Sequence, residues 1–223
     1  MLMENISTHL YSKLQEAINY AFSVHEKDVR KGTHIPYISH LMQVAGLVFE
    51  LGGTQNEAIG GILHDVAEDA GGETALDQIQ EKFGDEVRLI VLENSDSITA
   101  NKESKAPWRQ RKEEYLNSIS HKHPSSLLVS LCDKIHNVRS LANDTRLVGK
   151  SHWKRFNASQ EDSIWYYKTL LEKFKEVAHK DKRLPAAVQL LEFELNHLLT
   201  VINQTNEETA EPAVEFDQPR PAN

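Results

Sequence analysis

Hydrophobic residues recur along this chain at intervals of three and four and almost never alternate, so the pattern predicts helices from end to end. Leu10, Leu14, Ile18, Ala21 and Phe22 predict a first helix over about Ser7–Lys27. Leu41, Val44, Ala45, Val48 and Phe49 predict a second, with Ser39 as its N-cap and Gly52-Gly53 as its stop. Thr54 and Glu57 form a capping box for a third, which carries Ile59, Ile62, Leu63, Val66 and Ala67 through to Ala70-Gly71-Gly72. Thr74 and Asp77 read as the capping pair of a short helix with Leu76, Ile79 and Phe83 inside, stopped by Gly84. Asp85 caps a helix containing Val87, Ile90 and Val91.

Asn94 to Ala106 is polar and reads as a mobile loop. Pro107 suits the first turn of a helix with Trp108, Tyr115 and Leu116. Pro124-Ser125-Ser126 opens a strongly apolar helix through Leu141, followed by a polar segment over about Asn143–Asn157. Two more helices follow, over about Ser159–Ala178 and from Leu184-Pro185 onward. With no strand alternation and no internal repeat, the fold class is all-α, a compact bundle of about eight to ten helices.

Polar residues inside the apolar runs carry the candidate chemistry. In Gly61-Ile62-Leu63-His64-Asp65-Val66-Ala67-Glu68-Asp69, an unbroken helix stacks His64 over Glu68 and Asp65 over Asp69. Three carboxylates and an imidazole on a mostly buried helix call for a cation, because an unpaired buried charge costs several kcal/mol, about 3 or more. Asp133 lies within the apolar run of the Pro124 helix and shares a face with Asn137; it is either a further ligand or the partner of a buried Lys or Arg. His40, in the first turn of its helix, is either a ligand or a surface residue. Together His40, His64, Asp65 and Asp133 make a nitrogen/oxygen set suited to manganese, iron, zinc or cobalt rather than calcium. Glu68 and Asp69, one turn on, can orient or deprotonate water, or protonate a leaving oxygen. Arg30 and Lys31 in the loop Arg30-Lys31-Gly32-Thr33 are either a solvated turn or a phosphate clamp. Arg109, Arg111 and Lys112 are either a solvated helix face or a basic overhang above the acidic residues.

Composition narrows the classes. The 223 residues suffice for one sizeable domain, and the formal net charge of −8 argues against a nucleic-acid or membrane-surface binder. The last twenty residues, from Gln204, hold five acids and one Arg, half of that net charge, and read as a disordered tail. Cys132 is the only cysteine, so thiolate clusters and intrachain disulfides are excluded. No apolar run is long enough to span a membrane, and Met1–Asn5 lacks a signal pattern, so a cytoplasmic protein is expected.

His40, then His64-Asp65, then Asp133 follows the metal-binding order of the HD phosphohydrolase superfamily, and the chain resembles that family. Four segments resemble the hydrolase domain of RelA/SpoT-type enzymes and their stand-alone small relatives. They are Arg30-Lys31 with Pro36-Tyr37-Ile38-Ser39-His40, Leu63-His64-Asp65 with Glu68-Asp69, Phe83-Gly84-Asp85-Glu86-Val87, and Leu131-Cys132-Asp133-Lys134-Ile135-His136-Asn137-Val138-Arg139. The similarity covers about residues 14–141. Ser39 and Cys132 depart from the usual Asn and Ala.

The resemblance implies a single HD-type domain over residues 1–203, with a helical extension from 142 and the tail after it. It implies hydrolysis of the 3′-pyrophosphate of (p)ppGpp or a related alarmone to pyrophosphate and GDP or GTP, without synthetase activity. His40, His64, Asp65 and Asp133 would then hold the metal, typically manganese, and Glu68 and Asp69 would manage water. Arg30, Lys31 and Asn137 would contact the nucleotide, and Arg109, Arg111 or Lys112 its phosphates. Another phosphoester substrate, such as a nucleoside monophosphate, and a non-catalytic nucleotide sensor are the competing readings.

Overall fold

The computed structural model describes residues 11–95 and 106–207. Among them are ten α-helices, three short 3-10 helices, and no strand beyond an isolated bridge between Val29 and Pro36. In chain order the helices are α1 (Ser12–Val24), α2 (Ile38–Glu50), α3 (Gln55–Leu63), α4 (Val66–Ala70), α5 (Glu73–Phe83), α6 (Asp85–Asn94), α7 (Trp108–Ser118), α8 (Pro124–Val148), α9 (Gln160–Val177) and α10 (Leu184–Glu207). Of the loop expected over Asn94–Ala106, Asn94 instead closes α6, its side chain donating to the Ile90 carbonyl, and 96–105 lie outside the described residues. α10 runs to Glu207, four residues into the tail expected from Gln204, and the rest of that tail lies outside the described residues.

α8 is the spine. Ser125 to His136 are buried without a break, the mark of a helix enclosed on every side. α2, α3, α6 and α10 all pack against it. His123 starts it, its ring accepting from the Ser125 N–H ahead of Pro124 in the first turn. The helix runs on through Asn143–Val148 as a half-exposed end, where the sequence suggested a polar loop; a polar turn facing solvent is as helical as an apolar one. Gly149, at φ 72°, ends it, and a 3-10 helix over Gly149–Arg155 follows.

Local signals set the other boundaries. The Thr54–Glu57 capping box forms as expected, and Gly84 stops α5 at φ 93°. Three expected caps do not form. α2 starts one residue before Ser39, because the turn from Pro36 through Tyr37 is already helical. α5 starts at Glu73 behind Gly72, so Thr74 sits inside the helix. Asp85 is the first helical residue of α6 rather than its cap.

α3 lies very close to its neighbours. A Cβ at Gly60 would sit 2.5 Å from an Ile90 methyl of α6, and one at Gly61 would sit 3.3 Å from Val44 of α2. Glu57, 1% exposed, takes both Arg183 guanidinium nitrogens at 2.7 and 2.9 Å, together with the Thr54 N–H. This ties the start of α10 to α3. Burial opposes the charge on Glu57, but Arg183 outweighs it and holds the carboxyl below its usual range. Arg183 likewise pulls Asp181 down to about 2.

Arg183→Ala strands a buried carboxylate and should cost about 3 kcal/mol in urea unfolding at neutral pH. Both carboxyls titrate lower folded than unfolded, so their contribution is complete above about pH 4.5 and fades as pH falls toward 2. The gap between wild type and Arg183→Ala should therefore shrink between pH 5 and pH 3 in the same measurement.

Candidate metal and phosphate site

The expected unbroken helix through residues 61–69 is divided. α3 ends at Leu63 and α4 starts at Val66, with His64 and Asp65 as the two residues of the joint. The cause is a side chain taking a backbone acceptor. His64 Nδ1 lies 2.8 Å from the Gly61 carbonyl, one of the four that the end of α3 leaves without a helical partner. A carbonyl only accepts, so Nδ1 carries the proton and a neutral ring turns the Nε2 lone pair the other way.

Two carboxylates lie on that other side. Nε2 is 3.0 Å from Asp65 Oδ2 and 3.6 Å from Asp133 Oδ1, yet it is buried and makes no hydrogen bond. His40 Nε2 faces the same place, 3.2 Å from Asp133 Oδ1 and 3.8 Å from Asp65 Oδ2. Donor atoms of His40, His64 and Asp65 lie within 4.8 Å of one another. Lone pairs of two imidazoles and two carboxylates converging in a buried space fit a divalent cation by their chemistry. Without one, only protons can balance the group. Burial opposes a charge on His64, but Asp65 and Asp133 outweigh it and raise its pKa well above the ordinary value. Burial likewise opposes ionisation of both aspartates, yet His64 holds Asp65 low, and Lys134 with the two histidines holds Asp133 low.

Four neighbours orient these groups. The Tyr37 hydroxyl donates to Asp65 Oδ2. Lys134 Nζ, on the residue next to Asp133, reaches its Oδ2 at 2.6 Å, and Asn137 Nδ2 reaches Oδ1 at 2.5 Å. Asp133 thus meets the two imidazoles and Asn137 on one oxygen and Lys134 on the other; the ligand and buried-pair readings coexist. The fourth neighbour is His136, whose Nδ1 is 2.7 Å from His40 Nδ1. Burial, then the adjacent His40, pushes its pKa down to about 3, so it stays neutral and can accept the His40 Nδ1 proton. That leaves His40 Nε2 as a lone pair toward the carboxylates. The sequence reading passed over Tyr37 and His136. Helical spacing from known candidates could have found both, since Tyr37 is three before His40 and His136 three after Asp133.

A cavity of about 300 Å³ opens here, lined by His40, Asp65, Glu68, Asp69 and Asp133. Arg30, Arg111, Lys112 and Lys134 line it as well. It adjoins a larger one of about 700 Å³ bordered by Lys31, Asn137, Phe156 and Tyr167. Arg30 donates to the Asn137 carbonyl oxygen at 2.8 Å and Lys31 to that of Asn157 at 3.1 Å, so the α1–α2 loop is fastened to both α8 and the segment after it. Arg109 lines neither cavity. It lies over the Trp165 ring and pairs with Glu113 and Asp162, because residues 109 and 111 lie about 200° apart around a helix.

The fold and this donor set define an HD domain. The chain belongs to the HD-domain family, whose sequence profile matches residues 17–157.

Relatives within that family are more particular. The chain is 32% identical over 133 residues to the guanosine-3′,5′-bis(diphosphate) 3′-pyrophosphohydrolase MESH1 of Mus musculus, covering 58% of this chain and 70% of that one. The Xenopus tropicalis MESH1 is 34% identical over the same shares. A probable enzyme of the same activity from Synechocystis is 31% identical over 125 residues, 56% of this chain and 16% of that much longer protein. Among solved structures, a metazoan ortholog of SpoT described as hydrolysing ppGpp superposes with a TM-score of 0.61 at 20% identity, covering 87% of this chain and 97% of that one. At that identity the likeness concerns the fold.

His136→Ala leaves His40 free to rotate and to take the wrong tautomer. Isothermal titration with Mn²⁺ should show affinity reduced about 10- to 100-fold. His136→Gln, which keeps an acceptor, should recover part of the loss.

Proposed function

We propose that this protein is a metal-dependent phosphohydrolase that removes the 3′-pyrophosphate of (p)ppGpp or a related alarmone nucleotide. The reading is carried by one observation: His40, His64, Asp65 and Asp133 converge at a cavity that Arg30, Arg111, Lys112 and Lys134 also line. Sequence identity to the MESH1 enzymes over that same region supports it. A cation site lined also by these basic side chains suits a substrate with a dense run of phosphates. A nucleoside monophosphate carries too little charge to use Arg30, Lys31, Arg111, Lys112 and Lys134 together.

His40, His64, Asp65 and Asp133 hold the metal, which we take to be manganese. When bound, it supplies a Lewis acid for a phosphoryl oxygen and a more acidic water. Arg30, Arg111 and Lys112 bind the diphosphate, Lys31 and Asn137 the nucleoside side. Arg109 is dropped from this role, since it is engaged elsewhere. Glu68 or Asp69 takes a proton from water as its oxygen forms a bond to the phosphorus. The bond from phosphorus to the 3′ oxygen breaks, that oxygen takes up the proton now carried by Glu68 or Asp69, and ppGpp plus water becomes GDP plus pyrophosphate.

One domain through the end of α10 suffices for this chemistry. No described helix is long and apolar enough to cross a membrane. The lone thiol Cys132 is buried and unpaired, which suits the reducing cytoplasm. The partner is a small nucleotide, not a nucleic acid.

The test incubates purified protein with Mn²⁺ and, separately, ppGpp, ppApp and a deoxynucleoside monophosphate, and resolves products by ion exchange. Pyrophosphate with GDP or ADP is expected. Phosphate from the monophosphate alone would overturn the reading in favour of a nucleotidase, and no product at all would favour a sensor. His64→Ala and Asp65→Ala should lose both metal binding and turnover. Glu68→Gln should keep the metal and lose about 10²- to 10⁴-fold in kcat; unchanged turnover would remove Glu68 from its role.

A further inference from the structure

The polar face of α8 does not end at Asn137. Asp133, Asn137, Ser140 and Asp144 are spaced by four, three and four, which puts them in one stripe. Asn137, Ser140 and Asp144 all line the cavity of about 700 Å³, a size that suits a nucleotide. Asp133 marks the metal end of the stripe, and Asp144 lies eleven residues further, about 16 Å along the helix axis. That span accommodates a phosphoryl group, a ribose and a base laid end to end.

The wall of this cavity also offers surface for a flat ring. Ile35 and Leu147, large and aliphatic yet about half exposed, line it together with Phe156 and Tyr167. Asp144 is the one carboxylate among the described residues that line it. Its ion-pair partner Arg155 is 3.6 Å away and packs against Gly32. Burial raises the Asp144 pKa despite Arg155 and Arg30 nearby. At 3.6 Å Arg155 lies beyond hydrogen-bond distance and leaves the carboxylate oxygens able to accept from a ligand.

We propose that Asp144 is a specificity-determining residue that reads the base, its carboxylate accepting the N1–H and the exocyclic amino N–H of a guanine seated in this cavity. Guanine offers two adjacent donors on that edge, which a carboxylate matches with two oxygens. Adenine presents a lone pair at N1, which meets the carboxylate with like polarity and leaves a buried acceptor unpaired. The assignment rests on the alarmone-hydrolase reading for its substrate but not for its contact with the base.

The experiment therefore has a catalytic arm and a binding arm, both on the full chain with Mn²⁺. In the first, kcat/KM is measured for ppGpp and ppApp with wild type and Asp144→Asn. Wild type should prefer ppGpp by about 100-fold. Asp144→Asn should cut that ratio below about 10-fold, through KM for ppGpp, with ppApp unharmed. In the second, GDP and ADP affinities are measured by calorimetry, where the same substitution should erase a GDP preference. Equal handling of both bases by wild type overturns the proposal. So does an equal loss on both ligands in Asp144→Asn, the pattern of a residue that only braces Arg155. If wild type turns over neither alarmone but binds GDP selectively through Asp144, the hydrolase reading falls and the base assignment stands.

Discussion

The hydrogen bond from His64 Nδ1 to the Gly61 carbonyl performs two tasks. It terminates α3 by using an acceptor that a continuing helix would claim, and it fixes which ring nitrogen faces inward. The next residue, Asp65, stays in the right-handed helical region and places its carboxylate beside His64 and under the Tyr37 hydroxyl. This depends in turn on how closely α3 approaches α2 and α6. Side chains at Gly60 and Gly61 would push the helices apart, and His40 of α2 would no longer reach the carboxylates facing His64.

Charge balance explains the rest of the centre. Two aspartates with two imidazoles buried at one point repel unless a cation sits among them. The protein offsets part of this with Lys134 on the far oxygen of Asp133 and withholds full compensation on the near side. The Glu57–Arg183 pair, also on α3, is by contrast complete: three donors meet the carboxylate within hydrogen-bond distance. One buried acid is satisfied and structural. The aspartates of the centre, though braced by Tyr37, Lys134 and Asn137, also turn oxygens toward the two imidazole nitrogens, which is the difference between a brace and a binding site.

Much of the fold was legible because helical periodicity is a local property. Leu127, Leu131, Ile135 and Val138 announce α8, and Thr54, Gly84 and Ser159 mark boundaries that form as expected. The candidate ligands were legible because polar groups in apolar runs stand out. The break at His64–Asp65 was not, since Ile62, Leu63, Val66 and Ala67 keep helical phase across it and the competing interaction is a side chain bonding to backbone. Nor was the orientation of the α7 cations. Arg109, Arg111 and Lys112 are alike in sequence, and only the arrival of Trp165 and Asp162 from α9 draws Arg109 away. His136 and Tyr37 were hidden for a different reason: each acts through a ligand rather than as one.

The segment after Leu141 holds the least family-like part of the cavity wall, and its attachments give it a role in shape rather than chemistry. Lys31 reaches Asn157, Gly32 leaves room for the Arg155 chain, and Arg139 binds Glu194 of α10. The loop carrying Arg30 is thus clamped from two sides, one by α8 and one by the 3-10 helix that follows it. A loop held in this way keeps Arg30 at the smaller cavity and Lys31 at the larger one. The same clamp sets the width of the outer cavity. In the proposed reaction the C-terminal helices would help to shape the nucleoside pocket, while the joint between α3 and α4, with α8, would set where the bond breaks.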